Sequence, residues 1–117
     1  MKIVAAIHDL MFSSKVNAAA KGQAQAVLWL PRGTPVAQFV AQEKPDVLLI
    51  DLGAPALAAI DSIRAVKAAP ETSATVVIGY IGHEREDIIA AAQAAGCDQV
   101  MSKGEFARRL PELLALK

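Results

Sequence analysis

Apolar residues along this chain gather into five short runs, separated by alanine-rich stretches whose apolar positions recur at helical spacing. Lys2–Ile7 reads as a first strand, followed by a helix near Ser13–Lys21 with Ser13 or Ser14 as its cap. Ala26–Leu30 is a short second strand, stopped by Pro31-Arg32-Gly33. Thr34 as cap and Pro35 as first helical residue open a helix running to about Glu43. Val47 to Ile50 are apolar without interruption and lead into Asp51, with turn residues at Gly53 and Pro55. That pattern is a strand buried on both faces. A helix from about Ala56 to Ala69 carries Leu57, Ile60, Ile63 and Val66 at helical spacing, and Pro70 ends it. Thr75–Tyr80 is a fourth strand. Glu84 to Ala95 is a helix closed by Gly96. Gln99–Met101 is a fifth strand, and Gly104–Leu116 a last helix.

Five strands alternating with five helices imply parallel pairing through right-handed crossovers. The expected fold is α/β: a three-layer, flavodoxin-like, doubly wound sheet of five parallel strands in the order 2-1-3-4-5. In that order the carboxyl ends of strands one and three are neighbours, where open sheets place their sites. His8, Asp9 and Asp51 would then share one crevice.

Composition narrows the function. Residues 1–117 make one domain, read as carrying no output domain, and long enough to bury a core. Twelve basic and twelve acidic residues cancel, which leaves no electrostatic footprint for nucleic acid or an anionic membrane. A single cysteine, Cys97, cannot form an internal disulfide, so a reducing, cytoplasmic setting is expected. The apolar N-terminus is too short for a signal peptide or a span. No nucleophile–base pair, P-loop or dinucleotide motif stands out, and the protein is read as a non-enzyme.

With Asp51 at a strand end, Pro55 four residues on, and Ala94-Ala95-Gly96-Cys97-Asp98-Gln99-Val100-Met101-Ser102-Lys103 further along, the chain resembles response-regulator receiver domains over essentially its whole length. The resemblance implies Asp51 as phosphoacceptor-like residue and Lys103 as the family-type lysine. It also implies two acids after strand one holding Mg²⁺ with Asp51, a strand-four hydroxyl, and a strand-five aromatic that reports the change outward.

Against that pattern the chain is degenerate. Counting from the start of strand one puts Ile7 and His8 at the acid positions. One extra residue puts His8 and Asp9 there, which is preferred because it retains a carboxylate beside Asp51. Two carboxylates hold Mg²⁺ weakly or not at all, and His8 suits softer metals and reads as a strand-end hydrogen-bonding residue. Glycine at position 104 stands where the family has proline. Ile81 occupies the hydroxyl position and has no donor; a slip of one residue offers Tyr80 or Gly82, neither a short hydroxyl. Val100 occupies the aromatic position. Pro111 costs about 3 kcal/mol inside a helix, so one turn after Gly104 and a restart at Pro111 are expected, altering the usual partner face.

Leu10-Met11-Phe12 reads as an apolar loop over the crevice, Trp29 as a core or edge aromatic, and Cys97 as a structural thiol. The resulting expectation is an atypical, or pseudo-, receiver that signals through protein partners, a histidine kinase among the possible ones, as a monomer or weak homodimer. The alternatives are a phosphoaccepting receiver in a phosphorelay, with Asp51 as Mg²⁺-dependent acceptor, and a small flavodoxin-like ligand binder using the same crevice.

Overall fold

Apolar runs become strands because each buries both faces between two layers of helix. In a computed structural model, which describes residues 1–115, the strands are β1 (Ile3–Ala6), β2 (Val27–Trp29), β3 (Val47–Asp51), β4 (Val76–Ile81) and β5 (Gln99–Ser102). They form one parallel sheet in the order β2-β1-β3-β4-β5, as the alternation of elements predicted. The helices are α1 (Leu10–Gly22), α2 (Val36–Glu43), α3 (Ala59–Ala68), α4 (Glu86–Ala95) and α5 (Lys103–Leu114). The helix end expected at Leu116 lies outside the described residues.

Alternation along the central strands sorts the core into two. Val4, Leu48, Ile50, Leu52, Val77 and Ile81 face α2, α3 and α4. Ile3, Ala5, Ile7, Val47, Leu49, Ile78 and Tyr80 face α1 and α5. Each large aliphatic side chain so buried contributes about 1.5–3 kcal/mol. On the second side Phe12 of α1, Tyr80 of β4 and Phe106 of α5 form a three-ring cluster, with centroids 4.6 Å apart for Phe12–Tyr80, 4.4 Å for Tyr80–Phe106 and 6.2 Å for Phe12–Phe106. Gly79 leaves room for Leu52 on the other side: a Cβ there would lie 2.8 Å from the leucine side chain.

Several helix starts differ from the expectation. Asp9, not Ser13 or Ser14, caps α1: its Oδ1 accepts from the Phe12 N–H at 3.0 Å, while the Ser13 hydroxyl donates to the Ile7 carbonyl. A carboxylate one residue before the apolar run is the better cap, so the helix begins at Leu10. Leu10-Met11-Phe12 is consequently the first helical turn and no lid; Leu10 and Met11 are 81% and 61% exposed, whereas Phe12 enters the core. Pro35, expected inside α2, takes the extended cap position and leaves Val36 to start the helix; Thr34 instead closes a turn onto the Pro31 carbonyl. The stretch after Asp51 splits: Pro55–Leu57 is a 3₁₀ turn, and Ala58 at φ 44° redirects the chain before α3. Glu84 and Arg85 precede α4 rather than beginning it.

The break expected at Pro111 does not occur. One helix runs from Lys103 to Leu114 with Pro111 inside it. Phe106, Leu110, Leu113 and Leu114 anchor both sides of the proline in the core, and Pro111 faces solvent. Arg109 bridges its flanks by pairing with Glu105 and with Glu112. Burial of four side chains outweighs one missing backbone hydrogen bond.

Candidate functional site

At the carboxyl edge of the sheet the residues singled out in the sequence meet only in part. Asp51 ends β3 and is half-buried; its Oδ1 accepts the Gly53 N–H at 2.9 Å, which turns the chain away from the sheet. Asp9 is exposed on the adjoining loop, held by its capping bond to Phe12. Asp51 is the register partner of Tyr80 on β4. Burial first, then the charge of Asp51 and, less, that of Asp9, raise the Tyr80 phenol far above its ordinary pKa. The Tyr80 hydroxyl itself is buried and has no hydrogen-bond partner among the described residues in this conformation.

His8 does not join them. His8 lines a cavity of about 270 Å³ with Gly33, Thr34, Val36 and Leu57, on the α2–α3 side of the sheet. Its carbonyl accepts from Arg32, and its Nε2 is buried without a partner. The reason is parity: Ile7 packs toward α1 and α5, so the next residue turns to the opposite side. Lys103, the first residue of α5, stands at the same edge because β5 ends beside Ile81. It is exposed and makes no ion pair within 4 Å with another described residue.

Ile81 is buried toward α2, α3 and α4, its Cδ1 3.6 Å from where a Cβ on Gly53 would lie. Val100, half-buried on β5, packs against the same core. Ile81 thus fills the space beside the Asp51 turn with apolar surface. Among the described residues no group of three or more His, Cys, Asp or Glu side chains is placed to hold a metal. Asp9 and Asp51, each also accepting a backbone N–H, are the hard-oxygen donors at this edge.

Elsewhere the chemistry is structural. Cys97 is buried, donates to the Gln99 carbonyl at 3.2 Å, and has its thiol pKa raised chiefly by burial, which keeps it unreactive. Lys67 pairs with Asp98 at 2.8 Å and donates to the Thr75 carbonyl, tying α3 to the starts of β4 and β5. Trp29 is half-buried on the edge strand β2 and packs toward α1. A larger hollow, about 630 Å³, opens at the opposite, amino-terminal edge among Lys44, Pro45, Glu71 and Val76, remote from Asp51. No helix among the described residues is long and apolar enough to cross a membrane.

Tyr80 is the one feature of this edge that the linear reading set aside, as a misfit for a short hydroxyl. The parity of the two strands was available as a signal: Asp51 and Tyr80 both end apolar runs and share one face. Which residue of β4 lies beside Asp51 depended on register.

No protein-family model matches the sequence, and no curated protein is similar to it. Similarity appears among solved structures. A response regulator from Hahella chejuensis superposes with TM-score 0.84 at 16% identity, over 97% of this chain and 92% of that one. The magnesium-bound receiver domain of the sensor histidine kinase PA1611 from Pseudomonas aeruginosa gives 0.78 at 15% identity, over 98% of both chains. The phosphorylated cyanobacterial phytochrome response regulator RcpA gives 0.81 at 17%, over 97% of this chain and 88% of that one. The chain therefore has the receiver-domain fold along nearly its whole length.

Proposed function

We propose that this chain is an atypical receiver: a non-enzymatic signalling module that works through protein–protein contacts and presents one conformation whatever Asp51 carries. The observation that supports it is the apolar pair Ile81 and Val100. Allostery needs a two-state element that both sites bias. Isoleucine offers a phosphoryl oxygen no donor, and valine is too small and too stiff at χ1 to swing between positions. The partner class is a signalling protein, a histidine kinase among them, met in a monomer or weak homodimer.

Beryllofluoride, a phosphoryl mimic, tests this reading when amide signals are followed by NMR. Signals near Asp51 and Lys103 should shift, while residues 90–100 and 106–114 stay almost unmoved. Large shifts in those two segments, or a change of oligomeric state, would replace this reading with a working switch.

A second reading, a phosphoaccepting receiver in a phosphorelay, is favoured by one observation: Asp51 is half-buried at the sheet edge beside Asp9, as the fold shared with the phosphorylated RcpA invites. The ligand-binding alternative has lost its lid, since Leu10 and Met11 lie on the outside of α1.

A further inference from the structure

A hydroxyl is missing on one side of the sheet and buried without a task on the other. Ile81 leaves the α2–α4 side of Asp51 without a donor. One residue earlier, Tyr80 is 0% exposed on the α1–α5 side and is the register partner of Asp51. Its hydroxyl has no partner in this conformation. Oδ1 of Asp51 is occupied by the Gly53 N–H, and Oδ2 has no donor among the described residues. Leaving the buried phenol without an acceptor is costly, and a turn of the Asp51 side chain on the neighbouring strand brings its second oxygen toward that hydroxyl for a charge-assisted hydrogen bond.

We propose that Tyr80 is the donor of this crevice: its hydroxyl donates to the Asp51 carboxylate, and to an oxygen of a phosphoryl group carried there, from a ring that does not move. Stacking contacts with Phe12 and Phe106 hold the ring in place. The raised pKa of the phenol agrees, because it keeps the donor proton in place. Asp9 is a poorer acceptor: it is exposed, lies on a loop, and perturbs the phenol less than Asp51 does. Tyr80 is thus a positioning residue that orients Asp51 without acting as a moving switch. The phosphoryl clause rests on the receiver reading; the bond to Asp51 does not.

Tyr80 is the only tyrosine of the chain, so ring signals of the full chain belong to it alone. Ultraviolet resonance Raman should show the doublet of a strong hydrogen-bond donor. That signature should disappear in Asp51→Ala and weaken in Asp51→Asn, yet persist in Asp9→Ala. An identical doublet in the wild type and both Asp51 variants overturns the proposal, as does its loss in Asp9→Ala alone. Tyr80→Phe keeps the stacked ring, and circular dichroism verifies its fold. It should weaken beryllofluoride binding, measured with Mg²⁺ present, by about tenfold, the size expected for one charge-assisted hydrogen bond. Unchanged affinity overturns the phosphoryl clause. A wild type that binds no beryllofluoride defeats the receiver reading of Asp51, and the Raman signature then decides the Tyr80–Asp51 bond by itself.

Discussion

The metal and phosphoryl chemistry of this edge rests on two side chains. Asp9 and Asp51 supply two hard-oxygen donors, and among the described residues no third acid is placed with them. Mg²⁺ dehydrates reluctantly, so its affinity here should be in about the millimolar range or weaker. Titrating Mg²⁺ while following amide signals around Asp51 checks this, and micromolar saturation contradicts it. Labelling of Asp51 by acetyl phosphate, followed by mass spectrometry with Asp51→Asn as control, should be slow and incomplete for the same reason. Fast, stoichiometric labelling would put the phosphorelay reading first. Tyr80 makes its own prediction about pH. Burial first, then Asp51 and Asp9, raise its phenol above the ordinary value near 10. Above that value the unfolded chain loses the proton before the folded one does, so stability is complete below about pH 10 and declines as pH rises beyond it. Urea unfolding at pH 9 and pH 11 should show a decline in the wild type that exceeds the decline in Tyr80→Phe. Equal declines would mean that the hydroxyl is solvated.

Among the elements, α5 shows most clearly how packing overrides propensity. Pro111 removes one backbone donor and crowds the turn before it, yet the helix is continuous. The residual cost should be recoverable. Pro111→Ala should raise stability by about 1–3 kcal/mol, since an interior proline costs about 3 kcal/mol. Chemical denaturation measures it directly; a destabilised variant would mean that the proline rigidifies a kink the fold requires. At α4 the terminating device is simpler. Gly96 sits at φ 107°, and a Cβ there would lie 2.9 Å from the Lys67 side chain, so glycine both permits the turn and leaves room for the Lys67–Asp98 pair.

For the molecule as a whole, the sheet keeps two cores apart, and the site straddles them. Ile81 and Val100 belong to one, while Tyr80 with Phe12 and Phe106 belongs to the other. Phe106→Ala removes one ring of the aromatic cluster that joins α1, β4 and α5, and it should cost about 3–5 kcal/mol. Urea midpoints would show this, and a loss under about 1 kcal/mol would deny the cluster a structural role. The same separation bears on signalling. An event at Asp51 that reached a partner through α4 would have to cross from one core to the other through Ile81, which offers nothing polar to pull on.

Periodicity was enough for the α/β class and the placing of Asp51 at the edge of β3, while the strand order 2-1-3-4-5 came from the flavodoxin-like fold that the alternation of elements suggested. Apolar runs, alanine-rich helical stretches and turn residues report burial locally, and a five-strand parallel sheet has few ways to bury both faces. The same local chemistry located Ile81 and Val100 as apolar. What the tertiary structure decided was which side chains face each other. The turn of His8 toward α2 follows from the parity of β1 once its neighbours are packed, and the pairing of Tyr80 with Asp51 follows from the β3–β4 register. Continuity through Pro111 likewise came from the four anchors of α5 in a core assembled by distant segments. Contacts of that kind depend on residues far apart in the chain, and no local pattern carries them.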